Sequence, residues 1–297
     1  MNKRAIISVF DKTGLGNFAR GLVELGFQII STGGTARYLK EEKIPVTSVA
    51  DITGFPEILG GRVKTLHPAI LGGILARRNL EADLQQLKEQ DIELVDLVAV
   101  NLYPFAQTIA RKDVTLAEAV ENIDIGGPTM VRAAAKNYQH VAVVVNPARY
   151  DEVLEKLKKG ELDENFRFRL ATEAFAHTAE YDALISRYFA KECPEVPDFP
   201  PYISFPFVKT TDLRYGENPQ QKAAFYQEVT AVSDPASITS AQQLQGKELS
   251  FNNYNDLDAA WEMAIQFKEP TVVAVKHTNP CGIASADSVY QAYLRAF

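Results

Sequence analysis

The stretch FQIISTGGTARYLK, residues 27–40, decides the fold of this chain. Its first part is apolar and has the length of a buried strand, its second part has a helical pattern, and two glycines stand at the junction. Glycine at a strand-to-helix turn serves either a positive φ or the approach of a phosphate group to the first N–H groups of the helix. The stretch therefore predicts a strand–turn–helix unit and leaves both roles of the glycine pair open.

Strands and helices alternate on both sides of this unit. Strands are predicted at residues 5–10, 27–31, 46–49, 97–100 and 141–145. Amphipathic stretches at 15–25 and 35–43 predict helices between them. Such alternation is typical of an α/β fold in which a mostly parallel sheet carries helices on both faces.

The 297 residues are enough for two domains. A helical pattern without glycine or proline fills residues 164–191, and a stretch with five prolines follows at 193–207. Further elements are predicted at 223–226, 257–267, 271–275 and from 288 onward. The last helical pattern breaks off uncapped, which is typical of an incomplete domain. We therefore expect a first domain at 1–192, a Pro-rich linker at 193–207 and a partial second domain at 208–297.

The composition is that of an ordinary globular protein. The formal net charge of −7 argues against a general nucleic-acid binder, but it allows a local basic pocket for an anionic metabolite. The two cysteines, Cys193 and Cys281, give neither a disulfide framework nor a zinc-binding pattern. The sequence shows neither an apolar run of membrane-spanning length nor a signal-peptide pattern at its start. We expect a cytoplasmic protein without a metal ion.

Polar residues follow the first two predicted strands. They are Lys12 in the loop DKTG, and Thr32, Gly33, Gly34 and Thr35 in the loop STGGT. Open α/β sheets bind ligands at the carboxyl ends of their strands, where neighbouring loops meet. Backbone N–H groups at a helix start attract anions, so two such loops together predict one phosphate site.

The loop GGRVKTLHP brings Arg62, Lys64 and His67 together. Three isolated charges usually form a solvated surface loop. Beside two candidate phosphate loops, an anion pocket is an equal alternative. No metal-ligand spacing surrounds His67, which favours a structural hydrogen bond for this residue.

Two further segments carry residues suited to chemistry. NLYPF presents Asn101 and Tyr103 after a buried strand, where a plain core tyrosine is the alternative. In NIDIGGPTMVRAAAKN, Asp124 precedes a glycine pair and Lys136 lies further along a helix. A buried Asp–Lys pair could shift the proton affinity of the lysine in either direction. A packing helix with a lysine near its C-terminal end is the simpler alternative.

Two motifs stand out in the second series of elements. LRYGENPQQ contains Arg214 and Tyr215, and VVAVKHTNPCG places Lys276 and His277 after an apolar strand. The neighbouring lysine disfavours the charged form of the histidine, so its neutral imidazole could act as a base. A Lys–His dipeptide alone is weak evidence for a site.

Together these motifs resemble the bifunctional AICAR formyltransferase/IMP cyclohydrolase family of purine biosynthesis. The similar segments are DKTGL, STGGTA, TGFPEILGGRVKTLHP, NLYPF, IDIGGPTMVRAAAKN, LRYGENPQQ and KHTNPCG. One departure is Phe10, where the family commonly has a serine near the phosphate. The resemblance implies a methylglyoxal-synthase-like cyclohydrolase domain and the start of a cytidine-deaminase-like formyltransferase domain. On that basis we expect this chain to retain only the cyclohydrolase.

The resemblance also implies roles for individual residues. The catalytic residues would be Lys64, Tyr103, Asp124 and Lys136 in the cyclohydrolase, and Lys276 and His277 in the formyltransferase. The substrate-binding residues would be Lys12, Thr32, Gly33, Gly34, Thr35, Arg62, Thr65, Asn101 and Ile125 in the first site, and Arg214 and Tyr215 in the second.

The implied chemistry is formyl transfer to AICAR ribotide, followed by dehydrative closure of formyl-AICAR ribotide to IMP. Formyl-tetrahydrofolate would be the co-substrate of the first reaction, and the second would need no cofactor. The family implies a homodimer that binds ribonucleotides. Two alternatives share the fold: a regulatory nucleotide-binding module, as in carbamoyl-phosphate synthetase, and methylglyoxal synthase. The candidate catalytic groups in RVKTLHP and IDIGGPTMVRAAAKN favour the cyclohydrolase.

Overall fold

The structure, a computed structural model, describes residues 3–229 and 237–297. It divides into two compact units, Met1–Ser204 and Phe205–Phe297, and each is described by itself. The division falls inside the segment 193–207 expected as a linker, and the domain boundaries expected from the sequence stay a prediction. None of the helices in the described ranges has the length and apolarity that crossing a membrane requires.

The first unit is built on a parallel sheet. Its strands are β1 (Lys3–Val9), β2 (Phe27–Ser31), β3 (Thr47–Ser48), β4 (Leu97–Asn101) and β5 (Ala142–Val144). They lie in the order β3-β2-β1-β4-β5, and each neighbouring pair is parallel. The predicted sheet is confirmed, although β1 begins before the apolar run that marked it. Lys3 and Arg4 already pair with Phe27 and Gln28, and backbone pairing does not require apolar side chains.

Helices cover both faces of this sheet. They are α1 (Leu15–Glu24), α2 (Gly33–Glu41), α3 (Val49–Thr53), α4 (Pro68–Leu75), α5 (Glu81–Glu89), α6 (Phe105–Ile109), α7 (Leu116–Glu121), α8 (Gly126–Lys136), α9 (Tyr150–Lys159) and α10 (Glu164–Glu192). The four consecutive residues Leu97, Val98, Ala99 and Val100 are each at most 1 % exposed. Successive side chains of a strand point to opposite faces, so this burial needs cover on both.

Local sequence signals set the helix positions. In α1, Leu15, Phe18 and Leu22 are buried and recur at the spacing of one helix face. The Ser48 side chain accepts a hydrogen bond from the Asp51 N–H in a capping box, so α3 begins where the sequence predicted the end of a strand. The apolar stripe of α1 is thus buried, and the capping box of α3 decides where the preceding strand stops.

The second unit consists of two strand pairs and two helices in its described part. The elements are β6 (Phe207–Leu213), β7 (Ala223–Glu228), α11 (Phe251–Ala264), β8 (Thr271–Lys276), β9 (Asn279–Ser285) and α12 (Val289–Ala296). Strand β6 pairs antiparallel with β7, and β8 with β9. The expected likeness of this unit to cytidine deaminase stays a prediction.

Two elements of the second unit escaped the sequence analysis. The side chains of β6 are almost all exposed, so they show no apolar alternation. Strand β9 contains Pro280, which cannot donate to a sheet, and the pairing with β8 shifts register between Ala274 and Val275. Helix α11 starts six residues before the predicted one because Ser250 and Asn253 form a capping box at its beginning.

Candidate active site

A cavity of about 610 Å³ opens where β1, β2 and β4 end. All three strands are parallel, so the loops that follow them meet at one edge of the sheet. The predicted site residues that line this cavity are Lys12, Thr32, Gly33, Gly34, Thr35, Arg62, Lys64, Thr65, Asn101, Tyr103, Asp124 and Ile125. The structure therefore brings together residues from segments that lie far apart in the sequence.

The glycine pair stands at the start of α2. Thr32 is the N-cap residue, and no side chain in the described ranges caps the helix. The first N–H groups of a helix lack intrahelical partners, so those of Gly33 and Gly34 are available to an anion. Gly33 has a φ of +55°, and a Cβ there would lie 3.3 Å from the Lys64 Nζ. Gly33 thus has the first of the two roles left open by the sequence, a positive φ, and the approach of a phosphate group stays a prediction.

Thr35 and Asn101 hold the two loops to the sheet. The Thr35 Oγ1 accepts a hydrogen bond from the Val9 N–H at 3.0 Å and donates to the Val9 carbonyl at 3.0 Å. The Asn101 Oδ1 accepts from the N–H groups of Phe10, at 2.6 Å, and Asp11, at 2.9 Å. The side chains of Thr35 and Asn101 thus shape the site, and their direct contact with a substrate stays a prediction.

Two acidic residues that the sequence analysis missed pair with the basic loop. The Thr32 hydroxyl donates to the Glu57 Oε1 at 2.5 Å, and the Glu57 Oε2 lies 3.6 Å from the Lys64 Nζ. At the mouth of the cavity, Arg62 forms an ion pair with Glu121, and this hydrogen-bonded contact lowers the pKa of the Glu121 carboxyl. Glu57 could have been found from its place five residues before Arg-Val-Lys-Thr, since Gly60 and Gly61 fold the loop back.

Asp124 is the half-buried acid of the cavity. Desolvation raises the pKa of its carboxyl, and hydrogen bonds from the Gly127 and Tyr103 N–H groups oppose that rise only in part. The Asp124 Oδ1 accepts from the Gly127 N–H at 2.8 Å. A Cβ on Gly127 would lie 2.5 Å from the Asp124 Oδ2, so only glycine allows this approach. A carboxylate with a raised pKa is a stronger proton acceptor.

Tyr181 supports the Asp124 loop from α10. Its hydroxyl accepts a hydrogen bond from the Asp124 N–H at 2.8 Å and donates to the Asn122 carbonyl at 3.3 Å. Burial raises the pKa of Tyr181 to about 12, so the hydroxyl keeps its proton at neutral pH. No signal in the sequence marks this contact, because Tyr181 lies among core residues of a long amphipathic helix.

Two aromatic rings form one wall of the cavity. Tyr103 is 43 % exposed, which excludes the plain core tyrosine considered from the sequence. The rings of Phe10 and Tyr103 meet edge to face with their centroids 6.1 Å apart. Phe10 lines the cavity where the resemblance expected a serine hydroxyl, so it offers an apolar edge instead.

Lys136 lies away from this cavity. It is the last residue of α8, whereas Asp124 precedes the first, and ten residues of helix span ~15 Å. Lys136 is exposed and lines a different groove with Arg132, Tyr138 and Phe168. The expectation of a buried Asp124–Lys136 pair is therefore wrong for a single chain, because the straight helix carries the lysine too far. A catalytic role for Lys136 stays a prediction.

The residues predicted for the second site lie on two different elements. Arg214 stacks its guanidinium on the Tyr215 ring, 4.7 Å from the centroid, and donates to its hydroxyl at 3.0 Å. Hydrogen bonds from Ser250 and Arg214 lower the pKa of Tyr215. Lys276 ends β8, and His277 begins the two-residue turn to β9 with a φ of +54°. Their assembly into one site stays a prediction.

The cavity is therefore suited to an anionic ligand from which a proton is removed during a reaction. It combines helix N–H groups and three cationic side chains, which suit phosphate binding, with the half-buried Asp124 carboxylate, which suits proton removal. Among the described residues, no cluster of His, Cys, Asp and Glu has the arrangement of a metal site.

Comparison with known proteins first identifies the class. Residues 14–129, which contain the glycine loop and most of the cavity, match the MGS-like domain. The solved structure titled "Crystal structure of ForH" aligns with 63 % of this chain and 96 % of its own, at 38 % identity and a TM-score of 0.56. The first unit is thus an MGS-like α/β domain.

The rest of the chain specifies the family. Residues 134–297 match the AICARFT/IMPCHase bienzyme family, and the chain belongs to it. The bifunctional purine biosynthesis proteins PurH of Ruminiclostridium cellulolyticum and Thermoanaerobacter sp. are each 55 % identical to it over 298 residues. These alignments cover the whole of this chain, which spans 57 % and 58 % of the length of the two relatives.

Proposed function

We propose that the first unit closes the ring of formyl-AICAR ribotide to form IMP, as one activity of a bifunctional enzyme of purine biosynthesis. The observation that supports this best is Asp124, a half-buried carboxylate of raised pKa in the same cavity as the glycine loop and Lys64. A nucleotide sensor needs the glycine loop but has no use for a proton acceptor beside the ligand. The cyclohydrolase needs both.

The substrate is held at its phosphate end. The N–H groups of Gly33 and Gly34 would bind the phosphate oxygens, together with the Thr32 hydroxyl and the Lys12 ammonium. Arg62 and Thr65 would contact the ribose side, and Asn101 and Ile125 would lie near the base. Binding of the phosphate at one end of the cavity would thus position the carboxamide and formyl groups of the substrate relative to Asp124.

Ring closure joins the carboxamide nitrogen to the formyl carbon of the same molecule. The carboxamide nitrogen loses one proton to Asp124 as the C–N bond forms, and the formyl oxygen takes up a proton and becomes a hydroxyl group. This hydroxyl leaves as water after gaining a second proton, while the formamide nitrogen loses its own proton and the C=N bond of IMP forms. Because the attack is intramolecular, alignment of the two groups supplies much of the acceleration. Lys64 and Tyr103 would stabilise the charge that develops on the formyl oxygen. Lys136 is assigned no step, since it lies outside the cavity.

The formyltransferase belongs to the longer protein that the relatives represent. There, His277 would take a proton from the amine of AICAR ribotide as that amine attacks the formyl group of formyl-tetrahydrofolate, and Lys276 would assist electrostatically. Arg214 and Tyr215 would bind the ribotide. We propose a homodimer that works in the cytoplasm.

The test is an ultraviolet assay of IMP formation from formyl-AICAR ribotide by residues 1–297. Saturable turnover is expected, and Asp124→Asn should lower kcat by about 10²–10⁴-fold, the usual contribution of a positioned general base. The matched control is Asp83→Asn, since Asp83 pairs with the exposed Arg77 outside the cavity. Binding of IMP without any turnover by the wild-type chain would contradict the cyclohydrolase and favour the sensor.

A further inference from the structure

The Glu57 carboxylate contacts two residues, Thr32 and Lys64, that line the phosphate end of the cavity. One oxygen accepts the hydrogen bond of the Thr32 hydroxyl at 2.5 Å, and the other lies 3.6 Å from the Lys64 ammonium. Thr32 is also the N-cap residue of α2, where the helix potential favours negative charge. The carboxylate thus contacts a hydroxyl at the start of a helix and an ammonium, which are groups that bind phosphate.

A ligand phosphate and Glu57 compete for the same hydrogen atom. A threonine hydroxyl has one O–H and donates to one acceptor at a time, so Thr32 cannot serve both. The ammonium of Lys64 could turn to either anion, but a phosphate dianion beside the Glu57 carboxylate would suffer like-charge repulsion. Binding of phosphate therefore requires the carboxylate to leave.

The backbone around Glu57 allows such a movement. Glu57 lies in a loop bounded by Gly54, with a φ of +65°, and by Gly60 and Gly61, with φ of +65° and +91°. A Cβ on Gly54 or Gly60 would meet no atom within 4 Å, so the loop has open space at these two glycines, whereas a Cβ on Gly61 would lie 2.8 Å from the Lys64 Cε. The Glu57 side chain is 42 % exposed, which leaves it space to turn towards solvent.

We propose that Glu57 is an internal anion that holds the empty phosphate site and is displaced by the phosphate of the ligand. This inference rests on the proposed function, since it assumes that the loop of Gly33 and Gly34 binds a ribotide phosphate. Glu57 is a positioning residue: it keeps Thr32 and Lys64 in place until the ligand arrives, and it lowers the affinity for every phosphate that must replace it.

The test compares phosphate binding by wild-type and Glu57→Gln chains of residues 1–297. Isothermal titration with inorganic phosphate and with IMP should give a Kd about tenfold lower for the variant, because the neutral amide no longer competes for Lys64. Glu57→Ala should change both affinities in the same direction. Glu42→Gln is the matched control, since it removes the same charge from an exposed ion pair with Arg20 at the far end of α2.

The outcomes separate the inference from the proposed function. A gain in affinity for both Glu57 variants, with none for Glu42→Gln, would support the displacement, because loss of a purely structural contact does not tighten binding. Equal or weaker binding by both variants, while the wild type binds IMP, would overturn the inference alone. Failure of the folded wild-type chain to bind either IMP or phosphate would overturn the proposed function, and the inference with it.

Discussion

Gly127→Ala tests how closely α8 approaches Asp124. An added Cβ would lie 2.5 Å from the Asp124 Oδ2 and 2.9 Å from the Leu102 Cδ2, well inside contact distance. Overpacking of this kind costs about 1–3 kcal/mol, whereas alanine in place of glycine within a helix gains about 0.5–1 kcal/mol. The clash is the larger effect, so we expect a net loss of about 1–2 kcal/mol in the free energy of unfolding.

The loss should be visible in both stability and turnover. In a unit of this size, that free energy corresponds to a decrease of about 2–8 °C in Tm. The variant also displaces Asp124, and a shift of about 1 Å in a catalytic group can cost ~10²-fold in kcat. Thermal unfolding followed by circular dichroism and the assay of IMP formation measure the two effects.

Gly72→Ala is the control for Gly127→Ala. Gly72 also lies in a helix, α4, but the nearest atom to an added Cβ is 3.4 Å away, an ordinary contact. Its Tm should stay constant or rise, and its turnover should not change. A Gly127→Ala chain as stable and as active as the wild type would refute the close approach of Asp124 to the start of α8.

Three further predictions concern Asp124. Because burial raises the pKa of Asp124 above the ordinary value of 3.8, turnover should fall on acidification at a higher pH than an exposed aspartate would give, and a pH–rate profile of kcat measures this. A raised pKa in the folded state also contributes to stability. This contribution is fully present below the ordinary pKa and is lost as the pH rises through the raised pKa of Asp124. Asp124→Asn should therefore show a smaller decrease in Tm across that pH range than the wild type. Tyr181→Phe removes the acceptor of the Asp124 N–H and should cost about 1–3 kcal/mol in urea denaturation together with a loss of turnover. Tyr188→Phe, on the same helix, should leave turnover unchanged, and equal turnover losses in both variants would contradict a specific role for Tyr181.

The sequence was sufficient for the sheet and for most of the cavity. Strands β2 and β4 are short apolar runs. Such runs predict buried strands, and the structure confirms that both strands are buried. Once the strands are parallel, their carboxyl ends must meet, so Lys12, Thr32 and Asn101 were predicted together without knowledge of any distance. The glycine loop followed from the same reasoning.

Contacts that depend on three-dimensional packing could not be predicted in this way. The hydrogen bond from the Asp124 N–H to the Tyr181 hydroxyl joins residues 57 positions apart. Nothing in the helical pattern of α10 distinguishes this tyrosine from the other core residues of the helix. The Asp124–Lys136 pair failed for the opposite reason: the two residues are near in sequence, but the helix between them is straight. Glu57 was overlooked because an acidic residue beside a phosphate site contradicts the simple expectation of positive charge.

The ties that Thr35 and Asn101 make to the end of β1 have a consequence for the thermodynamics of binding. Loops that are free in the empty protein lose conformational entropy when a ligand orders them, and this loss subtracts from the affinity. Here the two loops are already fixed by hydrogen bonds to the backbone of a neighbouring segment, so little such entropy remains to be lost. For the phosphate binding proposed above, these two loops should therefore add little to the entropic cost, and more of the favourable energy of new contacts would remain as affinity.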